Sequence, residues 1–149
     1  MNALGTLETL VEAEKMSIVV NQCEVVYINP ILTSQTGVSP SDPQKIFRVW
    51  SAERGPEWQE PIEDLSLNAR YRLKDEAGNP FGRLTVAVAS GLAADESTAF
   101  QLELTARGLP QGVGREGIAA FHNQGHRAIV RCFAAITTPE MHKLWERYQ

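Results

Sequence analysis

"LSLNARYRLKDEAGNPFGRLTVAV", residues 65 to 88, decides the fold. Leu65, Leu67, Ala69, Tyr71 and Leu73 alternate with Ser66, Asn68, Arg70, Arg72 and Lys74. A repeat of two is the side-chain period of a strand with one buried and one wet face. "DEAGNP" (Asp75 to Pro80) is a turn, because Gly78 and Asn79 accept positive φ. Beyond it Leu84, Val86 and Val88 alternate with Arg83 and Thr85. After "SGLAADEST", Phe100, Leu102, Leu104 and Ala106 alternate with Gln101, Glu103, Thr105 and Arg107. Short links between alternating strands impose antiparallel pairing, so residues 64–107 are predicted to form a meander.

Working outward, "SIVVNQCEVVYIN" (Ser17 to Asn29) is rich in β-branched residues and predicts a fourth strand, stopping at Pro30. Leu4, Leu7, Leu10 and Val11 have the spacing of a short amphipathic helix over residues 4–11. "SPSDPQKIFRVW" predicts another short helix, capped by Ser41 or Asp42, with Pro43 in its first turn and Ile46, Phe47 and Trp50 inward. From Arg115 onward, Ile118, Phe121, His122, Ile129, Cys132, Phe133 and Ile136 recur at helical spacing. Thr138 then suits an N-cap and Pro139 a first helical position, so a last helix follows with Met141, Leu144 and Trp145 on its apolar side. A sheet with one apolar face needs a cover, and the long helix supplies it. The expected fold is a single α+β domain over residues 1–149. It has a mostly antiparallel four-stranded sheet, a meander, and a long C-terminal helix packed on one face.

The chain has 149 residues, 43 % hydrophobic and 21 % charged, which is ordinary for one globular domain. Its net charge of −4 lacks the basic surplus of a nucleic-acid binder. No apolar run approaches the roughly 20 residues of a membrane span, and the N-terminus has acids where a signal peptide wants bases. A cytoplasmic protein is therefore expected, with no membrane and no nucleic acid among its partners. Cys23 and Cys132 are the only cysteines and are expected to be reduced thiols.

Three motifs carry possible chemistry. His122 and His126 are spaced to share a helix face, but Asn123 stands where metal-binding helices of that kind carry glutamate, and His122 also falls beside Phe121 on the apolar stripe. "GVGREG" (Gly112 to Gly117) matches a dinucleotide-binding spacing, yet the fold that uses it needs a parallel strand after the helix, and here a second helix follows. It is better read as a link into the long helix. Cys132 lies near the apolar side of that helix and reads as filler. No catalytic residue, metal or cofactor is assigned. The polar sides of the meander strands carry Arg70, Arg72, Arg83, Gln101, Glu103, Thr105 and Arg107. Such a surface is either solvated or a docking face whose arginines reach carboxylates or phosphates bidentately. The expected binding residues are Arg70, Arg72, Arg83, Glu103, Arg107 and His126.

"NQCEVVYINPI" (Asn21 to Ile31), "LELTARG" (Leu102 to Gly108), "GHRAIVRCF" (Gly125 to Phe133) and "ITTPEMHKLW" (Ile136 to Trp145) occur in that order. Together they resemble the C-terminal half of an uncharacterised, sporadically distributed bacterial family that ends in an F…ITTPEMH…W signature. The resemblance implies a separated half whose exposed sheet face or first helix once met the other half. Patchy distribution associates such a family with mobile elements or phage defence. No catalytic residue comes with it.

The expected function is a non-enzymatic interaction module that binds a protein partner or self-associates, with the clustered arginines and the aromatics Trp50 and Trp58 as contact surface. The alternative is a helix-grip ligand binder whose pocket is lined by Tyr27, Tyr71, Phe100, Phe121 and His122. A third is a metal-dependent enzyme using His122, His126 and His142.

Overall fold

The computed structural model describes residues 5, 6, 9, 19–48 and 60–146. Strands β1 (Cys23–Leu32), β2 (Ser66–Lys74), β3 (Pro80–Leu92) and β4 (Thr98–Gly108) form one sheet in the order β1-β4-β3-β2. Every pairing is antiparallel. The meander is β2-β3-β4, and β1 closes onto its far side against β4. Helices α1 (Thr33–Thr36), α2 (Gly114–Ile136) and α3 (Pro139–Glu146) complete the described elements, with one 3₁₀ turn at Pro43–Lys45. Among the described residues no helix is long and apolar enough to cross a membrane.

The period-two pattern does what it predicts. Leu84, Val86 and Val88 of β3 and Phe100, Leu102, Leu104 and Ala106 of β4 are all buried. They face α2, whose buried stripe is Gly117, Phe121, Gly125, Ile129 and Ile136. Burying one side chain of the size of Phe121 stabilises by about 1.5–3 kcal/mol. Gly125 lets helix and sheet approach: a Cβ there would stand 3.2 Å from Ala106 Cβ and 3.4 Å from Val25 Cγ2. The far end of the core is closed by the segment around Phe47. Arg48 N–H donates to Ile136 O at 2.7 Å, Thr138 N–H to Ile46 O at 2.9 Å, and Thr138 Oγ1 to Lys45 O at 2.7 Å. Phe47 then meets Phe100 edge to face. Thr138 Oγ1 also accepts from Met141 N–H, so it caps α3 as its sequence position suggests.

Four expectations need correction. β1 does not start at Ser17 or stop at Pro30 but runs from Cys23 to Leu32, with residues 19–22 outside any strand. Proline is tolerated because β1 is an edge strand, where a residue lacking N–H can turn its nitrogen away from the ladder. The helix expected after Ser41 is only the 3₁₀ turn Pro43–Lys45, although Ile46 and Phe47 are buried as read; Trp50 lies outside the described residues. Asp42 precedes that turn without a side-chain capping bond; its carboxylate takes Gln44 and Lys45 instead. His122 is exposed rather than packed. The buried stripe advances in steps of four from Gly117 through Phe121 and Gly125 to Ile129, which leaves His122 about 100° round the helix. Of the helix expected over residues 4–11, residues 5, 6 and 9 are described and helical; the rest, and Trp58, lie outside the described residues.

Candidate docking face

Because α2 covers one side of the sheet, the other side carries no layer among the described residues. Register fixes its composition. Arg72 of β2 lies directly opposite Arg83 of β3, Arg83 opposite Arg107 of β4, and Arg107 opposite Glu24 of β1. One cross-strand row thus holds three arginines and ends on one acid. The next row is Arg70, Thr85, Thr105 and Val26, and the one after it Asn68, Ala87, Glu103 and Ile28. Directly opposite residues share a face with Cβ atoms about 4.5–5.5 Å apart. All four arginines are exposed.

The charges are unevenly satisfied. Arg107 donates through Nε and Nη2 to Glu24 Oε2. Both side chains are partly exposed, so that pair is worth about 0–1 kcal/mol. Thr105 Oγ1 donates to Glu103 at 3.1 Å. Among the described residues no ion pair or hydrogen bond engages the side chains of Arg70, Arg72 or Arg83. Like charges set directly opposite on a sheet are destabilising. The arrangement therefore works against the isolated fold and suits an anion that would sit across it.

Two depressions open there. One of about 350 Å³ is lined by Glu24, Arg70, Arg83, Thr85, Glu103, Thr105 and Arg107. The other, about 630 Å³, includes Arg72, Arg83 and Arg107 at the end of the sheet. Five of the six residues picked out from sequence, Arg70, Arg72, Arg83, Glu103 and Arg107, are thus on one face, and four of them line the first depression. His126 is not with them. It stands on α2, across the sheet, where its Nδ1 meets the Tyr27 hydroxyl. Glu24, Val26 and Ile28 were missed by sequence reading. Val26 and Ile28 flank the charged rows with 41 % and 59 % of their surface exposed. Their signal was the parity of β1 relative to Pro30, visible only once β1 is known to pair with β4.

The other candidate chemistry resolves into structure. Gly112 and Gly114 take positive φ, and a Cβ at Gly117 would strike the Gly112 carbonyl at 2.3 Å. Gln111 N–H donates to Gly117 O at 2.9 Å. "GVGREG" is therefore a loop folded onto the first turn of α2, entered from an antiparallel strand. Among the described residues no group of three or more His, Cys, Asp or Glu is placed to hold a metal, so His122, His126 and His142 do not converge. His142 Nε2 lies 2.6 Å from Thr137 Oγ1, whose own proton goes to Phe133 O at 2.6 Å. The histidine must then be the donor, and it ties α3 to the end of α2. Burial pushes the thiols of both Cys23 and Cys132 up from their ordinary range, the reverse of what a nucleophile needs.

A third cleft, about 650 Å³, lies between α2 and the β2–β3 turn, with Lys74, Arg127 and Arg131 set against Asp75 and Glu76. None of Tyr27, Tyr71, Phe100, Phe121 and His122 lines any of these three depressions. Phe100 and Phe121 are wholly buried in the core, while Tyr71 is 45 % exposed. No family model, curated protein or solved structure matches the chain.

Proposed function

We propose that the chain is a docking module and not an enzyme, and that the uncovered sheet face receives an acidic segment of a protein partner. One observation carries this: the row Arg72–Arg83–Arg107, in which three like charges are held side by side and one acid, Glu24, ends the row. A partner carboxylate placed between Arg72 and Arg83 takes bidentate hydrogen bonds from guanidiniums whose spacing the strands already fix. Val26 and Ile28 add apolar contact at the border of the charged rows. The chain's net charge of −4 argues that a local field, not a global one, does the selecting, and keeps nucleic acid out of the proposal.

The test is fluorescence anisotropy with a labelled oligo-glutamate peptide, an oligo-lysine peptide and a single-stranded DNA of matched length. Binding of the glutamate probe that weakens with added salt and falls at least tenfold in the Arg72→Ala, Arg83→Ala double variant supports the module. Equal binding by wild type and variant, or preference for lysine or DNA, refutes it.

A further inference from the structure

The two edges of the sheet are built differently. The β2 edge carries Arg70, Arg72 and Lys74, and its register shifts between Leu73 and Lys74. Charges and bulges are the usual protections of an edge against pairing with another strand. The β1 edge has no basic residue and no register shift; its protections are Pro30, near one end, and a single acid. It is ten residues long, its one acid is already held by Arg107, and Val26, Tyr27 and Ile28 are exposed in succession.

Pro30 tells which backbone groups of β1 are free. It lies opposite Gln101 in the ladder and has no N–H, so its nitrogen faces away from β4. Glu24, Val26 and Ile28 share its parity and therefore aim N–H and C=O at the open edge. Among the described residues no other group bonds those backbone atoms.

We infer that β1 is the seam of a two-fold dimer, in which β1 of a second copy pairs with it antiparallel to make one eight-stranded sheet. The strand is complementary to itself in that arrangement. With the axis at Tyr27, Val26 lies opposite Ile28 of the other copy, and the two exchange both backbone hydrogen bonds. Glu24 falls opposite Pro30, so its N–H reaches a carbonyl that has no donor to return. The two Glu24 carboxylates never face each other. No like charges meet across the seam, and exposed apolar side chains cover one another on the face beside the arginine rows. This seam uses edge backbone groups and stands apart from the docking proposal, which uses the arginine side chains.

Light scattering on the size-fractionated chain, with amide hydrogen exchange, tests it. Expected are a mass twice 16.5 kDa and slow exchange at Glu24, Val26 and Ile28 that speeds up on dilution. Val25, Tyr27 and Asn29, which bond to β4, should stay protected at all concentrations. Val26→Pro removes an edge donor and should give the single-chain mass with an unchanged circular dichroism spectrum. Arg72→Ala with Arg83→Ala should remain dimeric. A single-chain mass for the wild type overturns the seam. So does a double mass in which the amides of Glu24, Val26 and Ile28 exchange freely, since that dimer uses another surface and needs no variant to fold.

Discussion

Arg83 stands between Arg72 and Arg107, and because Glu24 already offsets Arg107, neutralising Arg83 removes mainly the repulsion from Arg72. Two guanidinium charges about 6 Å apart in water repel by roughly 0.7 kcal/mol before screening. With a Debye length of about 30 Å at 0.01 M salt and about 8 Å at 0.15 M, that pair costs roughly 0.6 kcal/mol and roughly 0.3 kcal/mol respectively. Cross-strand pair measurements of about 0.2–1 kcal/mol agree in scale. Arg83→Gln should therefore stabilise the free chain, raising Tm by about 1–2 °C at low salt for a domain of this size. The gain should shrink as salt is added. Arg83→Lys keeps the charge and should give no such gain. Thermal and urea unfolding at two ionic strengths measure all three chains. If Arg83→Gln is less stable than wild type at low salt, or its gain ignores salt, the row is not a strained cationic line and its meaning as a docking site goes with it. The same substitution should weaken the oligo-glutamate complex, so one variant trades binding for stability.

Two further outcomes follow from the packing. Gly125→Leu gains about 0.8 kcal/mol of helix propensity, so any net loss reports crowding; with a Cβ already 3.2 Å from Ala106 Cβ, it should still destabilise by about 1–2 kcal/mol in urea titration, and a chain more stable than wild type by the full propensity gain would show that α2 can lift off the sheet. Burial holds both thiol pKa values above their unfolded range, so this contribution is complete below the unfolded pKa and is lost as pH rises through the folded one. The fall in Tm between neutral and strongly alkaline pH should be smaller in a Cys23→Ala, Cys132→Ala double variant than in wild type, and an equal fall would remove the thiols as its cause.

The sheet was legible because its central strands are buried on one side only. In β4 every second residue from Phe100 to Ala106 is apolar and every intervening one polar, and nothing but a half-buried strand satisfies that pattern. The long helix was legible for the same reason, at a period near four. What the pattern could not give was partnership. Arg72, Arg83 and Arg107 lie 11 and 24 positions apart in sequence, and only the registers of two hairpins bring them into line. His126 shows the converse: it was grouped with the arginines, but helix α2 places it on the opposite side of the sheet against Tyr27. The exposure of His122 turned on a rotation of 100° that three-four spacing does not resolve. Pro30 misled as a stop signal, since tolerance of proline depends on whether a strand is an edge, and edge status belongs to the sheet and not to the segment.

The asymmetry of the molecule ties these observations together. On the helix side, close approach at Gly125, the Phe47–Phe100 contact and the Thr138 bonds knit helices and sheet into one core. On the open side the chain accepts arrangements that cost stability: arginine opposite arginine, and valine and isoleucine beside them in water. Glu in place of Arg83 would set opposite charges against Arg72 and Arg107 with no change in strand geometry. Under the docking proposal, an acidic partner segment laid across the row would offset the charges that the free chain leaves opposed. The two edges differ in the same way: β1 leaves Val26, Tyr27 and Ile28 exposed in succession, whereas β2 carries Arg70, Arg72 and Lys74.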